Sequence, residues 1–303
     1  MSKIVVTGGS GMVGSAFKSR FPEAEYPSRL EIHEGKYEVK DKWVVHLAAK
    51  VGGVKANMEQ VADFYMQNAN LNEKVLSAAH LGEARKVVSL LSTCIYPDAP
   101  YVSYPLTENQ LHLGPPHPSN FGYAYAKRMV DIMSRAYRQQ HGCDFITAIP
   151  NNLYGKNDNF DLKNSHVVPA IIRKVWEAKV RGESSIECWG DGSPLREFTY
   201  SEDIVRILLF LLENYDDPEP INIGNTEEHS IRELVEMICS IMKYDGKIYW
   251  NTKMPSGQYR KPSSNKKLLS LGWEKGQYTS LEKGLTNTCL WVINNYPLIR
   301  GIK

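Results

Sequence analysis

Short apolar runs bounded by turn residues recur along the first three quarters of the chain. They are KIVVT (3–7), WVVHLAA (43–49), KVVSLLS (86–92), FITAIPN (145–151) and PINIGN (220–225). Runs of this length that are apolar at nearly every position are typical of strands buried on both faces of a sheet. We therefore predict a core of buried strands.

Segments with apolar residues at helical spacing separate these runs. The predicted helices cover residues 60–82, 122–141 and 201–214, and Ser201 is the expected N-cap of the last one. Strands that alternate with helices along a chain form parallel sheets with helices on both faces. The predicted fold class is therefore α/β, with a Rossmann-type doubly wound parallel sheet.

The pattern becomes less regular after about residue 160. The chain continues with another helix in VVPAIIRKVWEAK (167–179), short strands, and a polar, proline-containing stretch at 251–265. We predict two domains. The first is a Rossmann domain of residues 1–160, to which residues 197–222 return, and the second is a smaller α/β lobe of residues 161–196 and 223–303.

Composition limits the partners of the chain. Its 303 residues are 42% hydrophobic and 23% charged, as in an ordinary globular protein with a sizeable core. The 36 basic and 34 acidic residues leave a net charge of +2, which gives no general attraction for nucleic acid or an anionic membrane. We expect small-molecule partners, with neither nucleic acid nor membrane among them.

The amino end and the cysteines bear on location. A strand predicted from Lys3 leaves no room for a signal peptide, and no apolar run is long enough to span a bilayer, so we expect a cytoplasmic protein. The five cysteines are odd in number and contain no C-x-x-C pair. This pattern argues against a disulfide framework and a structural zinc site, so we expect no metal and place four of the cysteines in the core.

The first strand leads directly into a glycine-rich turn. Gly8, Gly11 and Gly14 in KIVVTGGSGMVGSAF have G-x-x-G-x-x-G spacing and precede a helical pattern. Glycines here let the backbone turn tightly, approach a pyrophosphate and pack the helix closely against the strand. The motif predicts a dinucleotide site, although any glycine-rich turn of a parallel sheet would look the same in isolation.

A second motif, GYAYAKRMVDIMSRAYRQQ, contains Tyr123 and Lys127 four residues apart. On a helix these side chains lie on one face, and an ammonium beside a phenol favours the phenolate, which makes the tyrosine a proton donor and acceptor near neutral pH. The spacing also occurs by chance, with the tyrosine as an ordinary core or surface residue. The order of glycine loop, Ser92 at a strand end, Tyr123 and Lys127 favours catalysis.

This order resembles the short-chain dehydrogenase/reductase superfamily, and PNNLYG (150–155) together with the length resembles its extended branch, which acts on nucleotide sugars. GMVGSA, AAKVGGVKAN, STCIYP, NLYGKNDNFDLKNSHVVPA, REF and SIRELVE resemble the GDP-L-fucose synthase family. That family converts GDP-4-keto-6-deoxy-D-mannose to GDP-L-fucose with NADPH. The resemblance implies a bifunctional epimerase and oxidoreductase, with NADP(H) as cofactor and a GDP-sugar as substrate.

The resemblance also implies a catalytic set of Ser92, Cys94, Tyr123, Lys127 and His166. A ketone at carbon 4 acidifies the protons on carbons 3 and 5, so both centres can be inverted through enolates before hydride reaches carbon 4. Cys94 would be the base if neighbouring charge or a helix end lowers its pKa, and His166 would return a proton to the opposite face. Ser92 and Tyr123 would hold the carbonyl oxygen, which Tyr123 then protonates with the support of Lys127.

Each of the two epimerisation residues has an alternative explanation. Without its motif, Cys94 would be a small core residue at the end of a strand. His166 would cap the helix that begins beside it. These alternatives concern the roles and not the fold.

Binding residues follow from the same resemblance. Those expected at the cofactor are Gly8, Gly11, Met12, Val13, Gly14, Arg29, Asn68, Ser92, Lys127, Asn152, Leu153 and His166. Those expected at the substrate, in the smaller lobe, are Lys174, Trp189, Arg196 and Arg260. The alternatives are a core tryptophan and solvated arginines.

The cofactor preference depends on the segment after the predicted second strand. Arg29 lies just after that strand, and no acidic residue stands where a ribose 2′-hydroxyl would need one, which favours NADP over NAD. The segment at 24–42 is short and leaves little room for the helix and strand that the family usually has there. The adenosine end of the site is therefore the least defined part.

Four other functions remain open, one of which is an enzyme that shares the fold but acts on a different sugar. A nucleotide-sugar 4-epimerase shares the Ser-Tyr-Lys set but needs neither Cys94 nor His166. A 4,6-dehydratase has an Asp-Glu pair where this chain has Cys94 and Ile95, and a non-catalytic dinucleotide sensor has no use for the Tyr-Lys pair. The resemblance also implies a homodimer that pairs through helices 60–82 and 122–141.

Overall fold

The structure is a computed structural model that describes residues 3–98, 100–254 and 258–302. Its strands are β1 (Ile4–Thr7), β2 (Trp43–His46), β3 (Lys86–Leu90), β4 (Phe145–Ile149), β5 (Asn152–Tyr154), β6 (Ser185–Trp189), β7 (Leu195–Tyr200), β8 (Ile221–Asn222), β9 (Glu228–Ser230) and β10 (Lys247–Asn251). Its helices are α1 (Met12–Arg20), α2 (Arg29–Glu34), α3 (Val54–Glu59), α4 (Val61–Leu81), α5 (Phe121–His141), α6 (Val167–Arg181), α7 (Ser201–Asn214), α8 (Ile231–Met242), α9 (Lys266–Ser270) and α10 (Leu281–Asn295). Single turns of 3-10 helix lie at Thr93–Ile95, Glu108–Gln110, Pro118–Asn120 and Lys275–Gln277.

The main sheet is parallel, with the strand order β1, β2, β3, β4 and β8. Consecutive valines in its strands point to opposite faces, and both faces are buried: Val5 belongs to one core cluster and Val6 to the other. This two-sided burial explains why the strands are apolar at nearly every position. The predicted Rossmann-type parallel sheet is confirmed.

Helices cover both faces of this sheet. Helices α1, α7 and α9 pack on one face through residues such as Phe17, Leu208 and Leu268. Helices α2, α4 and α5 pack on the other through Ile32, Leu76 and Val130. The carboxyl ends of the parallel strands therefore meet at one edge, where sheets of this kind bind their ligands.

A second hydrophobic cluster lies in the carboxyl-terminal half. Helices α6, α8 and α10 pack there with a three-stranded sheet of β5, β7 and β9 and with the parallel pair β6 and β10. Within the three-stranded sheet, β7 runs parallel to β5 and antiparallel to β9. This cluster lies where the smaller lobe is predicted.

The exact division into domains remains a prediction. Leu268 and Trp273 fall in the range assigned to the smaller lobe, yet they pack with the cluster on the main sheet. Tyr154, assigned to the Rossmann domain, packs in the second cluster. The chain therefore crosses between the two clusters more often than the predicted ranges provide for.

The segment before β2 differs from the prediction. The expected second strand is reduced to a single parallel bridge between Val5 and Glu25. The short segment nevertheless holds a helix, α2, because Ser28 and Glu31 form a reciprocal capping box at its start. Arg29 is the first residue of this helix.

The N-cap of α7 differs from the prediction. Ser201 is the first residue of α7, and Tyr200 occupies the N-cap position.

Some predicted ranges include residues that the structure does not describe. The polar stretch predicted at 251–265 includes 255–257, and the predicted domain ranges include 1, 2, 99 and 303. In the part of the chain that the structure describes, no helix has the length and apolar character needed to cross a bilayer.

All five cysteines are free thiols. Cys188, Cys239 and Cys289 are buried as predicted. Cys143, also placed in the core by the sequence, is partly exposed, and its sulfur lies 3.3 Å from Nδ1 of His80. Cys94 is partly exposed at the carboxyl edge of the main sheet.

Candidate active site

The glycine loop lies between β1 and α1. Gly8 has φ of +78°, which side chains other than glycine rarely adopt, and a Cβ there would come within 2.8 Å of the Ala48 backbone nitrogen. A Cβ on Gly14 would lie 2.1 Å from the Gly8 carbonyl oxygen. These two glycines therefore let the loop pack against the end of β2 and against α1.

The start of α1 provides unpaired backbone donors. The first internal bond of the helix runs from the Ser15 N–H to the Gly11 carbonyl at 2.8 Å, so the N–H groups of Met12, Val13 and Gly14 precede the ladder. The side chain of Val13 is in the core, which leaves only its backbone for a ligand. A nine-residue helix that begins with free N–H groups fits a pyrophosphate.

Asn68 holds the loop that follows β2. Its Oδ1 accepts from the Lys50 N–H at 2.8 Å, and its Nδ2 donates to the carbonyls of Lys50 and Phe64. The side chain is completely buried. These contacts position the loop, and the contact of Asn68 with the cofactor stays a prediction.

The turn STCIYP follows β3 at the edge of the main sheet. Ser92 is the N-cap of the 3-10 turn Thr93–Ile95, and its hydroxyl accepts from the Cys94 N–H at 3.4 Å. The Thr93 N–H donates to the Pro150 carbonyl at 3.0 Å, which anchors the turn to the end of β4. The strand therefore delivers a hydroxyl and a thiol, both half-buried, to the site.

Tyr123 and Lys127 lie on the first turns of α5, as the motif predicts. Lys127 is 2% exposed, and its ammonium donates to the Leu90 carbonyl at 2.8 Å at the end of β3. Burial lowers the pKa of Lys127 to about 8, whereas the Cys94 thiol acts to raise it. The lysine therefore links the helix to the strand that carries the serine and the thiol.

The phenol of Tyr123 does not behave as the motif suggested. Burial raises its pKa well above the usual value, and the nearby Cys94 thiol raises it further. The predicted lowering is therefore wrong for this structure. The ring packs edge-to-face with Phe64 at 6.3 Å between centroids, which holds the side chain against α4.

The surroundings of Cys94 act on its thiol in opposite directions. Burial raises the pKa of Cys94, while the Ser92 hydrogen bond and the ammonium groups of Lys261 and Lys127 lower it. Burial is the largest of these effects, so the lowered pKa on which the base role is conditional is not found in this structure. Two ammonium groups nevertheless face the thiol, and they would stabilise its thiolate.

His166 is the N-cap residue of α6, but its side chain makes no cap hydrogen bond. The alternative of a simple helix cap is therefore wrong. The residue is exposed, while the surrounding protein lowers the pKa of its imidazole through desolvation. This combination is expected of a ring in a cleft, where it would be neutral near pH 7.

The segment before His166 touches the loop after β2. The Gly53 N–H donates to the Asn164 carbonyl at 3.0 Å. A Cβ on Gly53 would lie 3.1 Å from the Ser165 carbonyl oxygen. The histidine is thus carried by a segment that packs against the main sheet's binding edge.

Two of the predicted substrate residues lie together. Trp189 ends β6 with 55% of its surface exposed, and the Lys174 ammonium stands over its ring at 5.9 Å. Lys174 also donates to the Glu187 carbonyl at 3.1 Å. An exposed indole beside an ammonium is suited to a nucleotide base and its phosphates, and the alternative of a core tryptophan is wrong.

The two predicted arginines connect residues 258–260 to strands β7 and β9. Arg196 donates to the carbonyls of Leu195, Gln258 and Tyr259, with 2.6 Å to that of Gln258. Arg260 forms a forked pair with Glu228, in which Nε lies 2.8 Å from Oε1. Arg196 is partly buried, whereas Arg260 is exposed and paired with Glu228 at the surface.

The remaining predicted cofactor residues differ in how far their side chains are exposed to solvent. Asn152 is exposed, and its Nδ2 donates to the Glu197 carbonyl at 2.9 Å, whereas Leu153 packs against the core on the main sheet. Arg29 is exposed at the start of α2, with one nitrogen 3.4 Å from Oε1 of Gln67. Arg29 is thus accessible to an anion.

Sequence reasoning missed the residues that connect these elements. His46, at the end of β2, lies 2.9 Å from the Thr7 hydroxyl and 3.0 Å from Oδ1 of Asn72, whose Nδ2 donates to the Ala126 carbonyl beside Lys127. Burial, followed by the charge of Lys127, lowers the pKa of His46 to about 3, so it is neutral. A polar residue in an otherwise apolar strand was the available signal.

Lys261 was also missed. It is half-buried; burial lowers its pKa, with Cys94 and Asp98 acting to raise it and Arg196 and Arg128 to lower it. It therefore faces the thiol among other cations. The polar stretch around it carries no motif that would have singled it out.

No cluster of three or more His, Cys, Asp or Glu side chains that could hold a metal ion occurs in residues 3–98, 100–254 and 258–302.

Comparison with known proteins identifies the family. Residues 4–224 match the model of the NAD dependent epimerase/dehydratase family. The chain is 37% identical to GDP-L-fucose synthase of Dictyostelium discoideum over 98% of this chain and 97% of that protein. It is 40% identical to GDP-L-fucose synthase of Sinorhizobium fredii, covering 97% of this chain and 96% of that protein.

A solved structure agrees with these matches. The crystal structure of a GDP-L-fucose synthetase from Naegleria fowleri bound to NADP superposes with a TM-score of 0.90 at 35% identity, over 99% of this chain and 95% of that one. The resemblance inferred from the motifs is confirmed. The chain belongs to the NAD dependent epimerase/dehydratase family, in the branch that includes the GDP-L-fucose synthases of D. discoideum and S. fredii.

Proposed function

We propose that the protein is a bifunctional GDP-L-fucose synthase. It epimerises GDP-4-keto-6-deoxy-D-mannose at carbons 3 and 5 and then reduces carbon 4 with NADPH. The observation that carries the proposal is the thiol of Cys94, placed with Tyr123 and Lys127 in one electrostatically connected group at the end of β3. A reductase alone has no need of this thiol.

Proton exchange on the sugar is the first part of the proposed reaction. The Cys94 thiolate takes the proton from carbon 3 or carbon 5, and the electron pair moves onto the ketone oxygen to give an enolate. The Ser92 and Tyr123 hydroxyls donate hydrogen bonds to that oxygen. The imidazolium of His166 returns a proton to the opposite face of the carbon, which inverts it.

The thiolate is the less stable form in the unliganded site, because burial raises the pKa of Cys94. Lys127 and Lys261 oppose that effect, because their positive charges favour the thiolate. His166 is neutral near pH 7 because its pKa is lowered, so it must gain a proton before it can act as an acid. Before the first step, the Cys94 thiol must therefore lose a proton and the His166 imidazole must gain one.

Reduction is the second part. NADPH, when bound, supplies hydride to carbon 4. The phenol of Tyr123 is protonated because its pKa is raised, so it is ready to give its proton to the oxygen on carbon 4. Lys127, held by the Leu90 carbonyl, is proposed to support this proton transfer with its positive charge.

The residues for NADP(H) fit the proposed cofactor. Gly8 and Gly14 leave room only for backbone, and the unpaired N–H groups at the start of α1 suit the pyrophosphate. Arg29 at the start of α2 is exposed and is proposed to bind the 2′-phosphate. Asn152 and Leu153 would line the nicotinamide end, and Asn68 acts by holding the loop after β2.

The nucleotide part of the substrate is proposed to lie on the smaller lobe. Trp189 presents an exposed ring for the guanine, with the Lys174 ammonium beside it for phosphate. Arg196 and Arg260 support this surface by holding neighbouring backbone and Glu228. To bind phosphate directly, Arg260 would have to exchange its carboxylate partner for the substrate.

A homodimer is part of the proposal. Helices α4 and α5 pack against each other and expose several large apolar side chains. These are Val61, Tyr65, Met66, Leu81, Phe121 and Ile132. A second copy that packs on these helices would form a two-fold four-helix interface. An Ile132→Glu variant should be monomeric by light scattering, and an unchanged dimer would contradict this arrangement.

An isotope experiment tests the roles at the sugar. The protein is incubated in deuterated water with GDP-4-keto-6-deoxy-mannose and no NADPH, and the sugar is analysed by mass spectrometry and NMR. We expect exchange at carbons 3 and 5 in the wild type and in Cys143→Ser, the matched thiol control. Cys94→Ser should lose exchange yet bind NADPH normally, and exchange at the wild-type rate would refute the base role.

A second candidate is another nucleotide-sugar epimerase or ketoreductase of the same branch. An exposed tryptophan stacks with any base, so Trp189 alone favours no particular nucleotide. Turnover of a GDP-linked ketosugar in preference to its UDP counterpart would support the proposal. A cytoplasmic location remains a prediction from the sequence.

A further inference from the structure

A buried arginine supports the turn that carries the proposed base. Arg128 follows Lys127 on α5 and is only 7% exposed. Its Nε donates to the Ile95 carbonyl at 2.6 Å, and its Nη1 donates to the Gly114 carbonyl at 2.7 Å. One side chain thus joins the helix, the 3-10 turn that contains Cys94, and the loop at Gly114.

Among the described residues the guanidinium has no carboxylate partner. Its Nε and Nη1 donate to backbone carbonyls, and its Nη2 is buried with no hydrogen-bond partner. Its planar group also lies 5.5 Å from the Tyr125 ring. Burying an arginine without an anion costs free energy, so a partner that is negative only during the reaction would explain its position.

The candidate partner is the thiolate of Cys94. Arg128 binds the carbonyl of Ile95, the residue that follows Cys94 in the chain, so its guanidinium lies beside the turn that carries the thiol. Burial lowers the pKa of Arg128, and Tyr125 and the Cys94 thiol act to raise it. The other groups that face the thiol are Lys127 and Tyr123 from α5, Ser92 from the turn, and Lys261 from the opposite segment. Arg128 differs from the two lysines because it holds the turn and also stays positive at any pH of interest.

We propose that Arg128 is a positioning residue for Cys94: it fixes the turn through the Ile95 carbonyl and stabilises the thiolate with a permanent charge. This inference rests on the proposed role of Cys94 as the base. Its measurable consequence, however, is a property of the thiol that needs no substrate.

The test measures the pH dependence of Cys94 alkylation by iodoacetamide, read by mass spectrometry of the peptide that contains it. In Arg128→Met we expect the apparent pKa of Cys94 to rise by about half a unit to one unit, less than for loss of a directly contacting charge. Alkylation at neutral pH should fall about three- to tenfold, because the thiolate is the reactive form. Cys143, which is also partly exposed, serves as the internal reference and should not change.

Two further variants separate charge from packing. Arg128→Gln keeps an N–H donor but no charge, so we expect the same rise in the apparent pKa of Cys94. This variant provides the measurement if Arg128→Met fails to fold. Arg128→Lys keeps the charge and should restore most of the profile. Arg138→Met is the matched control, because Arg138 lies on the same helix and is paired with Asp144 and Asp216.

The outcomes distinguish this inference from the proposed function. A Cys94 profile in folded Arg128→Gln that coincides with the wild type overturns the inference, whatever the enzyme does with its substrate. A shifted profile in a protein whose wild type exchanges no deuterium into the ketosugar supports the link between Arg128 and Cys94. In that case Cys94 is not the base of the reaction, but Arg128 still positions its thiol.

Discussion

Replacing Gly14 by alanine should damage the dinucleotide loop without touching any catalytic side chain. The added Cβ would lie 2.1 Å from the Gly8 carbonyl oxygen and 2.7 Å from the Gly9 Cα. Both neighbours are backbone, so no side chain can rotate away. The loop and α1 would have to separate by about 1.3 Å to reach an ordinary contact of 3.4 Å.

Overpacking of this kind costs roughly 1–3 kcal/mol of folding free energy. In a chain of 303 residues, about 2 kcal/mol corresponds to a fall in melting temperature of roughly 3 °C. The same displacement moves the N–H groups proposed to bind the pyrophosphate. We therefore expect NADPH affinity to fall at least about tenfold, which is a loss of roughly 1.4 kcal/mol.

Differential scanning fluorimetry and NADPH fluorescence titration measure these two effects. Gly276→Ala is the matched control, because a Cβ there meets nothing within 4 Å and the residue has no positive φ. Gly14→Ala with wild-type melting temperature and wild-type NADPH affinity would refute the packing argument. Loss of stability with unchanged affinity would refute only the assignment of the loop to the cofactor.

Two other substitutions test separate parts of the structure. Trp189→Ala should change the free energy of unfolding by no more than about 0.5 kcal/mol, because the ring is 55% exposed. It should raise the KM for the GDP-sugar about tenfold through lost stacking, and an unchanged KM would contradict the proposed base site. Asp158→Asn tests a buried carboxyl whose pKa is raised by desolvation from 3.8 to about 7. Between pH 3.8 and about 7 the carboxyl is protonated in the folded wild type but ionised in the unfolded chain. The free energy of unfolding of the wild type therefore falls as pH rises, by about 1.4 kcal/mol per pH unit. The variant lacks this pH dependence. The melting temperature of Asp158→Asn minus that of the wild type should therefore be larger at pH 7.5 than at pH 5. An equal difference at the two pH values would contradict the raised pKa of Asp158.

The main sheet and its long helices were predictable from periodicity. The helices predicted at 60–82, 122–141 and 201–214 end within one residue of α4, α5 and α7. Burial on both faces makes a strand apolar throughout, and long amphipathic helices repeat their pattern many times, so both signals are strong. The bridge at Glu25 and the short α2 carried weaker signals, because they depend on one paired residue and one capping box.

The site was only partly predictable, because a motif identifies residues and not their surroundings. Tyr123, Lys127 and Cys94 were found by spacing and resemblance. The direction of their pKa shifts depends on burial at the end of β3, which the sequence does not express. Arg128 and Lys261 reach the thiol from a helix and a distant loop, so no local pattern connects them.

The most direct test of the account is a single turnover experiment in deuterated water with NADPH, followed by analysis of the reduced sugar. The account predicts one deuterium at carbon 3 and one at carbon 5, with both centres inverted, because the same site exchanges protons and then delivers hydride. A reduced sugar that carries no deuterium at either carbon would contradict the central claim and leave the protein a simple ketoreductase.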